Sequence, residues 1–214
     1  MTKSELLSHV DHTLLKPDAI WEDIRRLCDE AVENGTASVC INPCWVKRAA
    51  EYLSGRVPVC TVIGFPLGAA STAAKVTEAE IALADGCAEF DMVINIGRLK
   101  MGDTAFVEDE IRAVKRAVGG KVLKVIIEAC LLTDAEKETM CDIVCRAGAD
   151  YIKTSTGFSS GGATFADVEL LARRCAGRCQ VKAAGGIRSA ADMEKFLALG
   201  ASRLGTSSAV KILK

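Results

Sequence analysis

The stretch Val122-Leu123-Lys124-Val125-Ile126-Ile127 is apolar on both faces apart from a single lysine. A strand with one wet face alternates apolar and polar residues. A continuous apolar run belongs instead to a parallel strand covered by helices on both sides. The run extends over 122–128, and seven more segments of the same kind lie along the chain, at 10–15, 37–41, 57–63, 88–95, 150–154, 179–184 and 202–205. Between them the apolar spacing changes to a helical period over 20–34, 72–85, 104–118, 133–147, 164–176 and 189–199. Each of these stretches runs into a glycine (Gly35, Gly86, Gly119, Gly148, Gly177 or Gly200), the residue that most readily closes a helix. Thr133-Asp134-Ala135-Glu136 reads as a capping box at one helix start. Repeated strand–helix units predict a parallel α/β fold. Eight of them in one short chain close into a (β/α)8 TIM barrel more naturally than they open into a doubly wound sheet, which is the competing architecture. No linker or low-complexity segment divides the chain, so residues 1–214 are expected to form a single barrel domain.

Composition fits this. Half of the 214 residues are hydrophobic and only 5% are aromatic, so the core must be aliphatic. The formal net charge of −1 offers no overall attraction for nucleic acid or an anionic membrane, and any anion site must be local. No apolar run reaches the roughly 18 residues that a membrane helix needs. Lys3, Glu5, Asp11, Lys16 and Asp18 break up any apolar leader, which points to a cytoplasmic protein. The ten cysteines include the pairs Cys40/Cys44, Cys141/Cys145 and Cys175/Cys179, each four apart, whereas zinc sites favour tighter pairs or cysteine with histidine at finger spacing. The two histidines, His9 and His12, are far from the cysteine pairs in sequence. These cysteines are expected to be small buried hydrophobes, and neither a metal nor a cofactor is expected.

Polar residues inside buried strands need a reason. Lys124, Lys153 and Lys182 sit in three consecutive strand segments, and Asp91 lies in a fourth, Phe90-Asp91-Met92-Val93-Ile94, with Asp11 in the first. A single lysine of this kind can snorkel to solvent. Three on neighbouring strands, with an aspartate, suggest anion binding or an amine that loses its proton easily. A free lysine has a pKa of about 10.4. A second ammonium about 4 Å away, at an effective dielectric of about 20, repels it by about 4 kcal/mol, or about three pKa units. A neutral amine produced in this way can attack a carbonyl and form an imine. Two glycine-bearing segments, Ala183-Ala184-Gly185-Gly186-Ile187-Arg188 and Gly205-Thr206-Ser207-Ser208, follow the seventh and eighth strands, where barrels of this type bind phosphate. A helix starting near Ser207 would point its positive end there.

Seven segments resemble the deoxyribose-phosphate aldolase family, a class I (Schiff-base) aldolase family. They are Asp11-His12-Thr13-Leu14-Leu15-Lys16-Pro17, Val39-Cys40-Ile41-Asn42-Pro43, Gly64-Phe65-Pro66-Leu67-Gly68, Glu89 to Gly97, Leu123 to Glu128, Ala147 to Gly157 (ending Lys153-Thr154-Ser155-Thr156-Gly157) and Val181 to Arg188. The resemblance spans nearly the whole chain in order. It implies reversible cleavage of 2-deoxy-D-ribose 5-phosphate to D-glyceraldehyde 3-phosphate and acetaldehyde. The residue at Lys153 would form the Schiff base, and Lys182 would be its cationic neighbour. Asp91 and Lys124 would move protons, and Asp11 would support them. Gly157, Gly185, Gly186, Gly205, Ser207 and Ser208 would surround the phosphate. Cys40 would lie near the aldehyde pocket, and His12 would be a hydrogen-bonded histidine beside Asp11. The family also implies a homo-oligomer, a dimer at its simplest. Its better-known members carry a longer tail ending in tyrosine. The tyrosines here are Tyr52 and Tyr151, so either water protonates the enamine or the rate is lower. The competing functions are a Schiff-base aldolase for another sugar phosphate, a barrel that only binds sugar phosphates or assembles with partners, and a metal- or redox-active cysteine protein.

Overall fold

The computed structural model describes residues 1–213. Eight parallel strands close into one barrel in sequence order: β1 Val10–Leu14, β2 Ser38–Ile41, β3 Val59–Ile63, β4 Glu89–Val93, β5 Val122–Ile126, β6 Tyr151–Lys153, β7 Gln180–Ala184 and β8 Arg203–Thr206, with β8 pairing back onto β1. The helices are α1 Lys3–Leu7, α2 Trp21–Asn34, α3 Val46–Leu53, α4 Thr72–Ala84, α5 Ile96–Lys100, α6 Thr104–Ala117, α7 Asp134–Arg146, α8 Phe165–Cys175, α9 Ala190–Ala198 and α10 Ala209–Ile212. All eight expected strands and all six expected long helices are present, with limits shifted by a few residues. Among the described residues, no helix is long and apolar enough to cross a membrane.

Local chemistry explains the helix limits. In α2, Ile24, Leu27, Cys28 and Ala31 recur at helical spacing and are buried against the sheet. Gly35 ends the helix in the left-handed region at φ 62°, its N–H bonding to Ala31 O. The capping box forms as read: Glu136 N donates to Thr133 Oγ1, and Thr133 N donates to Glu136 Oε2. Ser71, Asp103, Thr164 and Ser189 cap α4, α6, α8 and α9, each side chain accepting from a backbone N–H of the first turn. The short helices α1, α3 and α5 have no counterpart in the sequence reading. They are too brief to show a clear period: α3 has eight residues, and α1 and α5 have five each.

The apolar residues separate into two unequal bodies. One large cluster fills the layer between the sheet and the helices, with Val39, Phe90, Val125, Ile152, Val181 and Leu204 projecting outward into it. Inside the barrel the apolar cluster is small: Leu15, Cys40, Cys60 and Val62, with Phe65 against them. Most of the interior is charged. The aliphatic core expected from composition is therefore the outer shell, and the barrel lumen is reserved for polar groups.

A second buried charge pair fixes the ends of β3 and β4. Lys75 of α4 is fully buried, and its Nζ donates to Glu110 Oε2 and to Val93 O, both at 2.8 Å. Removing one partner of such a pair leaves a buried charge unmatched. Lys75→Met is expected to lower the unfolding free energy by about 3 kcal/mol or more. Urea denaturation checks this, and a loss below about 1 kcal/mol, the level of a surface pair, would contradict it.

Candidate active site

Side chains on a strand alternate between the two faces of the sheet, so residues two apart point the same way. Glu89 and Asp91 of β4, Tyr151 and Lys153 of β6, and Arg203 and Gly205 of β8 thus share the lumen with Asp11, Lys124 and Lys182. Strand register then brings the groups together: Asp91 is level with Lys124, and Lys153 with Lys182. The centre is one carboxylate. Asp91 Oδ2 accepts from Lys153 Nζ at 2.7 Å and from Lys182 Nζ at 2.6 Å, while Oδ1 accepts from Lys124 Nζ at 2.8 Å. Asp11 Oδ2 accepts from Lys182, and Asp11 Oδ1 from Arg203 Nη1 at 2.6 Å and Ser38 Oγ at 2.8 Å. Glu89 Oε2 completes the set, 2.7 Å from Lys124 and 3.0 Å from Arg203.

Three carboxylates thus face four cations. Burial opposes the charge on each of Asp91, Asp11, Lys124 and Lys182, but the opposite charges around them outweigh it. Asp91 and Asp11 are held below the usual carboxylate range by their lysine neighbours. Lys124 and Lys182 are pushed above the usual lysine range by Asp11 and Asp91. The two-ammonium picture drawn from sequence was therefore incomplete, because a shared carboxylate oxygen stands between the cations. The number of partners separates the lysines. Lys124 contacts three carboxylates and Lys182 two, while Lys153 contacts only Asp91.

Lys153 also lines a cavity of about 370 Å³ at the C-terminal ends of the strands. Gly157, Gly185, Gly186, Gly205, Ser207 and Ser208 line it too, with Arg188 and Phe158, so the expected amine and the expected anion loops meet in one space. Gly185, at φ 80°, lets its loop pack backbone to backbone: an added Cβ would lie 3.2 Å from Gly162 Cα. Gly205 has a different reason, since a Cβ there would lie 3.1 Å from Lys182 Cε, so glycine makes room for the lysine stem. Ser208 N is already bonded to Thr206 Oγ1, and α10 is a single turn starting at Ala209, two residues beyond the position expected for its start. The loop after β6 is held by Glu128, which adopts the left-handed region at φ 51° and accepts from both Thr156 N and Thr156 Oγ1.

Cys40 is buried in the lumen, where a hydrogen bond from the Cys60 thiol outweighs burial and lowers its pKa. Cys60 Sγ also lies 3.3 Å from Asp91 Oδ1 and 3.2 Å from Lys124 Nζ. His12 is not beside the Asp11 carboxylate. As the next residue on β1 it faces outward, and its Nε2 pairs with Glu30 Oε2 of α2 at 2.8 Å. Glu89, Arg203, Cys60 and Glu128 are site residues that the sequence reading missed. Stepping back two positions along the strand from Asp91 and from Gly205 would have found Glu89 and Arg203.

Comparison with known proteins finds the same barrel fold and a family for the sequence. Residues 6–209 match the model of the DeoC/LacD family aldolases. The chain belongs to this family. It is 54% identical over 209 residues to a deoxyribose-phosphate aldolase of Clostridioides difficile (strain 630), covering 98% of this chain and 95% of that one. It is 55% identical over 211 residues to the enzyme of the same name from Streptococcus pneumoniae (strain CGSP14), covering 98% and 96%. Among solved structures, the deoxyribose phosphate aldolase of Aeropyrum pernix, described as a tetramer, superposes with a TM-score of 0.92 at 39% identity, covering 99% of this chain and 91% of that one.

The shared carboxylate predicts a pH signature. A carboxylate whose folded pKa is depressed adds stability above its unfolded pKa of about 3.9 and loses it as pH falls toward the folded value. Asp91→Asn is therefore expected to be less stable than the parent at pH 7, by about 3–5 kcal/mol, with the gap narrowing below about pH 4. Denaturant melts across this range test it, and a gap that stays constant or widens in acid would contradict it.

Proposed function

We propose that this chain is a class I aldolase that reversibly cleaves 2-deoxy-D-ribose 5-phosphate into D-glyceraldehyde 3-phosphate and acetaldehyde. The observation that carries the reading is the position of Lys153. It is the lumen lysine with the fewest carboxylate contacts, and it stands at the wall of a cavity whose far side is made of glycine and serine loops. Disengaging Lys153 breaks one ion pair, whereas freeing Lys182 or Lys124 would break two or three. The fully ionised network carries one excess positive charge, so the loss of one proton leaves it balanced.

The neutral amine of Lys153 attacks the open-chain aldehyde carbon, and water leaves as the imine forms. Protonation of the imine creates an electron sink beside the bond to be broken. A base takes the proton from the hydroxyl on the far carbon, the carbon–carbon bond breaks, and its electron pair moves into the enamine on Lys153. D-Glyceraldehyde 3-phosphate departs. Protonation of the enamine carbon and hydrolysis of the imine release acetaldehyde. Asp91 lies on Lys153 itself, with Lys182 on the same oxygen and Lys124 on the other, so these three groups are the proton carriers in this scheme. Asp11, Glu89 and Arg203 hold Lys182 and Lys124 in place. The phosphate sits among Gly157, Gly185, Gly186, Gly205, Ser207 and Ser208, with Arg188 at the rim. Tyr52 bonds to Asp29 outside the barrel, and Tyr151 lies in β6 two residues before Lys153, near Arg203. Neither Tyr52 nor Tyr151 is given a part in this reading. It also takes the protein as a cytoplasmic homo-oligomer, a dimer at its simplest. Light scattering on the purified chain tests the assembly.

Borohydride reduction in the presence of acetaldehyde is expected to add the label at Lys153, located by peptide mass mapping, and label on Lys124 or Lys182 instead would overturn the assignment. Lys153→Leu should abolish trapping. Lys182→Leu should lower kcat by about 10² or more, the usual worth of a positioned proton carrier, while the far-ultraviolet circular dichroism is retained. Faster turnover of another sugar phosphate would redirect the substrate assignment.

A further inference from the structure

Four thiols outside the lumen play no part in the aldolase chemistry. Cys141 and Cys145 lie one turn apart on α7, so their sulfurs share a face. Cys175 is the last residue of α8, and Cys179 directly precedes β7. Packing of α7 against α8 brings the two pairs together. Cys145 Sγ is 3.1 Å from Cys179 Sγ, and Cys179 Sγ is 3.4 Å from Cys175 Sγ. These three sulfurs all lie within 4.8 Å of one another, and Cys141 is the neighbouring thiol on the same face of α7. Cys141, Cys175 and Cys179 are buried, while Cys145 is partly open to solvent.

We propose that Cys145, Cys175 and Cys179, with Cys141 as a fourth ligand, form a structural binding site for a soft, thiophilic metal ion, with Zn²⁺ as the case argued. Zinc binds thiolates at about 2.3 Å in a tetrahedron, which sets neighbouring sulfurs about 3.8 Å apart. Two of the separations in the cluster, 3.1 and 3.4 Å, fall short of that value by less than 1 Å, so small rotations that part the side chains admit the ion. A disulfide would join two sulfurs and leave the others unused, whereas a metal uses a convergent group of three or four. Each thiol passes its proton to solvent as its metal–sulfur bond forms. The ion's charge offsets that of the thiolates, and the Arg178 guanidinium, anchored on Cys175 O at 3.1 Å and Asp142 Oδ1 at 3.0 Å, adds a further positive charge beside them. Cys145 supplies the entry path. The ion would tie α7, α8 and the start of β7 together below the strands that carry Lys153 and Lys182. Spacings of four residues conceal the site in the sequence. One pair depends on a helical turn and the other on a helix end, so neither follows the finger pattern.

The barrel lumen holds a second thiol-bearing group, Cys40, Cys60 and Asp91, and the test must separate the two. Reduced full-length protein is titrated with Cd²⁺, whose thiolate complexes absorb in the near ultraviolet, and Zn²⁺ is then added as competitor. The expected result is one equivalent of Cd²⁺ with a charge-transfer band that Zn²⁺ reverses. Cys145→Ser and Cys179→Ser should each weaken binding at least tenfold with the circular dichroism unchanged. Cys40→Ser and Cys130→Ser should leave binding intact. No band, a band insensitive to Cys145→Ser, a band abolished by Cys40→Ser, or an intact mass showing that air has oxidised a thiol pair in preference to metal binding would each overturn the proposal.

Discussion

A buried carboxylate oxygen held between two ammonium groups inside the barrel is the constraint on which the rest of the structure depends. Asp91 Oδ2 takes its place between Lys153 and Lys182 only because β4, β6 and β7 all turn those residues into the lumen, where their side chains converge. Isolated buried charges are expensive, and a network is stable only when every member has partners. Hence Asp11, Glu89 and Arg203 surround this centre, each giving a buried charge a further partner. With the lumen given to charge, cohesion has to come from elsewhere, and the continuous aliphatic layer between strands and helices supplies it.

The sequence made much of this legible because two-sided apolar strands and glycine-closed helices are local signals. A lysine in such a strand is conspicuous because its cost on burial is large, which is why Lys124, Lys153 and Lys182 stand out from the rest of the chain. Glu89 and Arg203 sit near strand ends, where a charge reads as ordinary, so only the alternation rule applied backwards from their neighbours reveals them. Short helices such as α3 escape because eight residues barely make two turns. His12 was misplaced because adjacency in sequence was read as adjacency in space, when neighbouring strand residues face opposite ways. The depth of the charge balance could not be read either. Repulsion between two lysines follows from their strand positions, but a carboxylate oxygen shared by both is a fact of geometry.

The loops at the mouth follow a different logic from the strands beneath them. They are held by backbone contacts and a few side chains: Gly185 against Gly162, Glu128 on Thr156, and Thr206 on Ser208. Amides and small hydroxyls supply most of the polar wall, and such groups can meet an anion without bringing a full charge into the lumen. In the proposed function, chemistry at the amine and recognition at the rim fall in separate layers of one cavity.

The stem of Lys182 runs through the space that Gly205 leaves by having no side chain. Descent with modification at these two positions is therefore epistatic and has a direction. A larger residue at 205 presses on the lysine stem at 3.1 Å and on Ala184 Cβ at 3.0 Å, so it fits more easily once position 182 has shortened, and β7 must still give way at 184. A lineage that took that route would carry a fossil of its order of events, a filled 205 beside a truncated 182, and the return path would be closed until the bulk at 205 was removed first.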